Sequence, residues 1–382
     1  GDELIGQVDV GAVIRRIRPL REQLAQDIDD NDPQRSGTAK RRQMRTLHDA
    51  VAQVRAIADG VIAAGLSVDG KPGRQLDDAY DKLAIAVARA FPANGHGDDT
   101  MLRTITRNGL TPTVPTDYEQ WQCIHWPLDV PEVMENGGFD AIIGNPPFLG
   151  GQKITGAMGT NMREWLINVL ADGKKGSADL CAYFFLLAFK LLRQGGTLGL
   201  LATNTIAQGD TREVGLDTMV SDGFTIMRSI QSRPWPVKSA NLEYAAVWGT
   251  KNKVPWQIGR NCDGMTVGSI STLLEPQGRA TGKASQLEEN KDIAFQGCIV
   301  LGDGFVISPE QAAQWIAADP RNSEVVFPYL NGKDMNSRPD CSPSRWVVDF
   351  NDRSEKSASE YALPYAHIRE FVKPERQRKK AD

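Results

Sequence analysis

"GFDAIIGNPPFLGG", residues 138–151, decides how this chain is read. Phe139, Ala141, Ile142 and Ile143 form a short apolar run ended by turn residues, the pattern of a buried strand. Two adjacent prolines then follow Asn145. Pro146 and Pro147 each fix their own φ and restrict the residue before them, and neither carries an N–H. Ligands of a parallel α/β sheet collect at the carboxyl ends of its strands. The stretch therefore predicts a stiff loop, placed where a ligand would lie. It presents two fixed acceptors, the Asn145 side-chain oxygen and the Pro146 carbonyl, with Phe148 as a flat face beside them. Such a set suits a planar group carrying an NH2, for example the exocyclic amine of a base. The bland alternative is a rigid strand exit with no ligand.

Working outward, "TNMREWLINVLA" and "SADLCAYFFLLAFKLLRQ" read as helices, the second with Ser177 as N-cap and Gly195-Gly196 as its stop. "TLGLLAT" is a second buried strand, "DTREVGLDTMVSDG" a helix, and "FTIMRSIQS" and "NLEYAAVWG" two more strands. The expected order over 139–249 is strand, helix, helix, strand, helix, strand, strand. That alternation argues an α/β layer fold with a mainly parallel sheet, its last two strands an antiparallel edge pair. Upstream, "VGAVIRRIRPLREQLAQDI", "KRRQMRTLHDAVAQVRAIADGVIAAGL" and "DDAYDKLAIAVARAF" carry apolar residues at helical spacing, with "DDNDPQRSG" as a loop between the first two. Residues 93–120 are read as loop. After about residue 250 the chain turns polar and glycine-punctuated, with short strands and a short helix. The expected organisation is a helical arm over 1–120, a catalytic α/β half-domain over 121–250 and a mixed α+β recognition region over 251–382.

Composition narrows the function classes. The 382 residues are 41% hydrophobic and 24% charged, values of a globular protein, and no apolar run is long enough to span a bilayer. The first residues, "GDELIGQVDVG", lack the basic and apolar regions of a signal peptide. Five scattered cysteines argue against a disulfide framework or a zinc cluster and fit a reducing, cytoplasmic setting. Four histidines stand at no metal spacing, so no metal site is expected. The net charge is −4, so any contact with nucleic-acid phosphates must come from a local patch. Lys373, Arg376, Arg378, Lys379 and Lys380 near the C-terminus are the candidate; a solvated helix end is the other reading.

The acceptor pair suits methylation of an aromatic amine. The lone pair of such an amine is delocalised into its ring. Two hydrogen bonds accepted from its protons favour a pyramidal nitrogen with that lone pair freed toward an electrophilic methyl. Positioning and electrostatics then carry the catalysis. In duplex DNA the base must be flipped out and stacked on aromatic side chains.

"GFDAIIGNPPFLGG" resembles the catalytic motif of amino-group DNA methyltransferases, specifically the N6-adenine class. "HWPLDVPEV", "GSADLCAYFFLLAFKLL", "GGTLGLLATNTIAQGDTRE" and "RPWP" resemble the large bacterial adenine methylases. These are the type II restriction-modification enzymes and the related phage-defence methylases of the DISARM kind. "FPYLNGKDMNSRPDCSPSRWVVDF" and "VKPER" resemble the start of their target-recognition region, so the resemblance covers roughly residues 120–376. It implies the C-terminal half of a Rossmann-like methyltransferase sheet, with a helical insertion before it and a partial target-recognition domain after it. It also implies S-adenosylmethionine as methyl donor and double-stranded DNA as substrate. Asn145 and Pro146, in the rigid frame of Pro147, would hold the amine, Phe148 would stack on the flipped base, and Trp235 of "RPWP" would be the second stacking ring. Asp179 would shape the wall near the donor; a helix N-terminal charge is the other reading.

The chain departs from the family in several respects: Cys181 stands where the family usually has Tyr, the acidic residue that would hold the donor's ribose is not identified, and the recognition region is only partly present. The glycine-rich loop that binds the donor after the first strand is not found: "GLSVDGKPGR" follows no buried strand, and "RQGGTLG" stands at the wrong end of one. "GDELIG" resembles the end of the third cofactor strand. The expectation is a piece of a larger methylase, its first strand an open apolar edge, with the missing N-terminal segment or other defence-system subunits as partners. Cytosine-N4 or protein-glutamine methylation, and a DNA-recognition remnant without activity, are the competing readings.

Overall fold

The computed structural model describes residues 10–25, 33–236, 243–276, 288–290, 293, 300 and 302–378. The chain divides into two units, Gly1–Thr281 and Gly282–Asp382. Gly1 to Gly6, Cys298, Lys379 and Lys380, which carried parts of the sequence reading, lie outside the described residues.

The apolar stripes of the N-terminal region form helices. α1 (Val10–Ala25) packs along α2 (Pro33–Leu66) through Ile17, Leu47 and Val51. Further along α2, Ile57 and Ala64 meet Leu83, Ala86 and Val87 of α3 (Arg74–Ala90). Pro33 opens α2, so half of the expected "DDNDPQRSG" loop is helical. A proline in the first helical position loses nothing, because its missing N–H would have no partner there.

A second correction falls at residues 93–120, read as loop. They contain a fourth helix, α4 (Thr100–Leu110). Leu102, 2% exposed, with Met101 and Ile105 beside it, joins the α2–α3 cluster. A Cβ on Gly109 would lie 2.2 Å from the Ala63 carbonyl oxygen of α2. The glycine that looked like a loop signal is a close helix–helix contact.

Six strands make the sheet of the first unit: β1 (Phe139–Gly144), β2 (Leu192–Thr203), β3 (Thr225–Pro234), β4 (Glu243–Thr250), β5 (Arg260–Cys262) and β6 (Met265–Val267). Their order is β1-β2-β4-β3-β5-β6. β1–β2 and β3–β5 are parallel, while β2–β4, β3–β4 and β5–β6 are antiparallel. The sheet is therefore mixed, not mainly parallel, and the antiparallel pair β3–β4 lies inside it rather than at its edge. The β5–β6 hairpin turns on Asp263 and Gly264, with φ of 49° and 92°. Asp-Gly with both φ values positive is the tight turn whose twist suits a two-stranded hairpin. These two strands extend the sheet beyond residue 250, and the division between units falls after Thr281.

Between β1 and β2 the chain forms α5 (Gly151–Met158), α6 (160–170) and α7 (Leu180–Leu191). α7 is apolar almost all round, and Leu180, Cys181, Ala182, Tyr183, Phe185, Leu186, Ala188 and Phe189 are buried. It begins after Asp179, not Ser177, and ends at Leu191 without using the expected glycine stop. Lys251 closes it instead, donating to the carbonyls of Phe189 (2.9 Å) and Leu192 (2.8 Å). A cation is favoured where helix carbonyls lack partners; burial lowers the pKa of this amine. Gly195 and Gly196 lie within an irregular stretch of β2: Phe139 pairs with Leu192 but Ala141 with Thr197. The extra residues bulge, and Gly195 takes the positive φ of 78° that the bulge needs. A helix, α8 (209–221), connects β2 to β3.

The second unit carries β7 (Val306–Ile307), β8 (Val326–Tyr329) and β9 (Arg345–Val348) in the order β7-β9-β8, all antiparallel. α9 (Pro309–Ala318) is capped by Ser308, and its Ala312 packs with Ile307, Val325, Val326 and Val348. Asn331 caps the turn after β8, and buried Asp334 accepts from the Ser344 hydroxyl at 2.6 Å. That hydroxyl hydrogen bond holds the Asp334 carboxyl below its usual range. A final helix, α10, covers residues 362–378.

Two outcomes test this architecture. Gly109→Val should lower the stability of the first unit by about 1–3 kcal/mol, the usual cost of overpacking, measured by urea unfolding. Ile143 on β1 is 89% exposed. Ile143→Lys should therefore shift the unfolding free energy by no more than about 0.5 kcal/mol. It should also reduce concentration-dependent light scattering, because a charge on an open edge blocks strand-to-strand association.

Candidate active site

β1 delivers Asn145 to the edge of the sheet and stops there. Asn145 is exposed, Pro146 buried, Pro147 exposed and Phe148 half-buried. Among the described residues, no donor reaches the Pro146 carbonyl and no partner holds the Asn145 side chain. Neither acceptor is used by a donor among the described residues.

The far end of this loop is clamped. The Leu149 carbonyl accepts from the Leu180 N–H at 2.9 Å, the first residue of α7. The Gly151 N–H donates to the Asp179 carboxylate at 2.9 Å. The other oxygen of Asp179 accepts from the Thr205 hydroxyl at 2.6 Å and lies 3.4 Å from that of Thr203. Asp179 itself is held by its N–H, which donates to Thr211 at 3.1 Å. One half-buried carboxylate thus joins the Asn-Pro-Pro-Phe loop, the start of α7 and the end of β2. Sequence reading placed Asp179 near the methyl donor; its oxygens are engaged by the chain's own donors.

Three aromatic rings gather beside the loop. Phe148 and Trp235 have ring centroids 6.3 Å apart at 86°, edge to face. Trp235 meets Tyr244 the same way, at 5.5 Å and 84°. Trp235 directly follows β3, and Tyr244 lies near the start of antiparallel β4, so both come to the end of the sheet where β1 stops. Tyr244 was not singled out in the sequence, where it read only as one residue of an apolar strand. Near it, Ser232 donates to Glu243 at 2.5 Å, and Asn204 lies 3.3 Å from the same carboxylate oxygen.

An apolar hollow of about 500 Å³ is lined by Ile142, Ile143, Asn145 and Pro146 of β1 and its exit, with Leu200 of β2 and Phe184 and Leu191 of α7.

Whether the described residues could hold the methyl donor rests on their local structure. Among them, no strand precedes β1. The glycines of "GLSVDGKPGR" join two helices, with φ of 60° at Gly70 and 137° at Gly73. This is a helix-to-helix turn, not a strand-to-helix phosphate or nucleoside cradle. Of the C-terminal basic residues, Lys373 and Arg376 are exposed on α10. No described helix is long and apolar enough to cross a membrane.

Comparison with known proteins agrees with the sequence resemblance over the central segment. Residues 92–222, which contain the Asn145–Phe148 loop, match the model of the Eco57I restriction-modification methylase family. No curated protein matches the chain. Among solved structures, the chain is similar to MmeI, a type IIL restriction-modification enzyme determined in complex with DNA. The identity is 14% and the TM-score 0.47, over 78% of this chain and 40% of that one. The chain thus spans less than half the length of that enzyme.

If Asp179 anchors the loop, Asp179→Ala should leave the fold intact but speed amide hydrogen exchange at Gly151 by about tenfold or more, as expected when a charge-assisted bond of about 1.5–3 kcal/mol is lost. Exchange read residue by residue by NMR checks it.

Proposed function

We propose that this chain carries the amine-holding half of a DNA methyltransferase that acts on the N6 amine of a flipped adenine in a restriction-modification or phage-defence system. The observation that carries this reading is the pair of unused acceptors on the Asn145–Pro146 loop, beside the Phe148–Trp235 rings. The match of this segment to a restriction-modification methylase family supports it.

In this reading the amine donates one proton to the Asn145 side-chain oxygen and the other to the Pro146 carbonyl. The prolines and the Asp179 clamp keep both acceptors fixed, so little reorganisation is needed as the nitrogen pyramidalises. Phe148 offers the base a stacking face. Trp235 meets Phe148 edge-on, so a base that stacks on both rings must displace Trp235 from that contact. The nitrogen gains positive charge as its new bond forms, and the two acceptor oxygens stabilise it. Its extra proton leaves to water after transfer, so no strong general base is required. S-adenosylmethionine is the proposed source of the electrophilic methyl group.

The donor's binding residues are proposed to lie on a further methyltransferase segment that pairs with the open edge of β1. Lys373 and Arg376 are proposed phosphate contacts to double-stranded DNA, and the compartment is proposed to be the cytoplasm. Other subunits of a defence system are further candidate partners. Phe148 favours a nucleobase over protein glutamine, and Asn145 favours adenine over cytosine N4, where the resemblance implies Ser or Asp. A second reading, a DNA-recognition module without activity, is favoured by one observation: among the described residues no strand with a glycine-rich loop precedes β1.

Asn145→Ala, made in the assembled enzyme, should lower adenine methylation by at least about 10³-fold while leaving DNA affinity within about threefold, since the amide acts on the amine alone. Methyl transfer to DNA and a gel-shift titration measure the two. Retained methylation would sink the mechanism. Calorimetry separates the second reading: an active enzyme binds S-adenosylmethionine once the further segment is supplied, whereas a module without activity does not.

A further inference from the structure

The chain segment that leads into β1, "WQCIHW" (121–126), has no part in the amine site, yet it carries a second concentration of chemistry. His125 places its Nε2 atom 2.7 Å from the Asp59 carboxylate of α2, 66 residues earlier in the chain. Cys123 brings a thiol to the same point, and the three donor atoms all lie within 4.8 Å of one another. All three residues are partly buried. None of the four described cysteines, Cys123 among them, forms a disulfide.

We propose that Asp59, Cys123 and His125 form a binding site for a divalent transition-metal ion of the zinc class. The donor set is one soft sulfur, one imidazole nitrogen and one carboxylate oxygen, a mixture that suits zinc rather than magnesium or calcium. A tetrahedral ion with bonds of about 2.0–2.3 Å needs its ligand atoms roughly 3.3–3.7 Å apart. The His125–Asp59 pair at 2.7 Å is somewhat closer than that, and every pair lies within 4.8 Å. The ion takes the place of the hydrogen between His125 and Asp59, the imidazole keeping its proton on Nδ1; the Cys123 thiol gives its proton to solvent as the sulfur–metal bond forms, and small side-chain rotations complete the geometry.

The surroundings hold the ligands in place. The His125 backbone N–H donates to Asp129 at 2.8 Å, and Asp129 is paired with Arg55 of α2. Arg21 of α1 makes a two-point contact with Glu132, at 2.7 and 2.9 Å. The segment is thus already seated on the helical region, and such outer partners orient a metal ligand. Three protein ligands leave one position open. Asp59 also lines a cleft of about 1030 Å³ with Arg103, Arg107 and Glu119, which gives a water ligand access. A bound ion would fasten α2 to the segment that sets the position of β1.

Three of the four histidines could be changed without consequence for this site, which makes it specific to test. The full-length chain is stripped with a chelator and titrated with Co²⁺, then Zn²⁺. One equivalent of Co²⁺ should bind, with a thiolate-to-cobalt charge-transfer band and the visible bands of a four-coordinate site. Zn²⁺ should displace it. Cys123→Ser should abolish the charge-transfer band, Cys341→Ser should retain it, and Asp59→Asn should weaken binding more than about tenfold. If Cys123→Ser does not fold, thiol alkylation of the wild-type chain decides instead: Zn²⁺ should protect Cys123 and not Cys341. No cobalt binding by the wild-type chain, a band unchanged in Cys123→Ser, or alkylation of Cys123 unaffected by zinc would each overturn the proposal.

Discussion

The Asp179 carboxylate is the contact on which the Asn145–Phe148 loop depends. It accepts from Gly151 on the loop side and from Thr205 beyond β2, while its own N–H is held by Thr211. Three segments far apart in sequence are brought to one point. Two prolines stiffen the near end of the loop, but rings alone cannot set where a loop points. The carboxylate sets it, by fixing the far end against the start of α7. The charge also sits at a helix N-terminus, where partly unsatisfied N–H groups favour an anion.

The directions of the strands explain why the aromatic rings meet. β1 and β2 run parallel, and β4 runs back against β2, so the end of β1 lies beside the end of β2 and the start of β4. β3 is antiparallel to β4 and ends there too. A mixed sheet thus gathers Phe148, Trp235 and Tyr244 from three places in the chain. A parallel order throughout would have carried the start of β4 to the opposite end of the sheet. The cost of this arrangement is at β1, which among the described residues pairs with β2 alone and carries the exposed Ile143. An unpaired apolar strand edge invites another strand.

The helical region has a different logic. Its stability comes from close approach: Gly109 against Ala63, and Leu102 into the α2–α3 cluster. It is joined to the segment before β1 by charged pairs, Arg21–Glu132 and Arg55–Asp129, which are partly exposed and worth little singly. Asp59 and His125 add a further polar contact at the same junction.

Much of this was legible in the residues. The strand–loop character of 139–148, the helices of the N-terminal region and the strands of 192–250 follow from apolar periodicity and from proline chemistry, which are local. Asn145 and Phe148 could be singled out because their neighbours restrict them. α4 was missed because its glycine and polar residues look like a loop until α2 is packed against it; Gly109 reads as flexible in sequence and is a contact in space. Strand order, the antiparallel return of β4, the bulge at Gly195-Gly196 and the Lys251 cap depend on partners dozens of residues away. So does the meeting of Asp59 with Cys123 and His125, which no spacing rule reveals. Local stiffness and pattern are written residue by residue; which side chains share a site is decided by pairing and packing, because those energies exist only once distant segments meet.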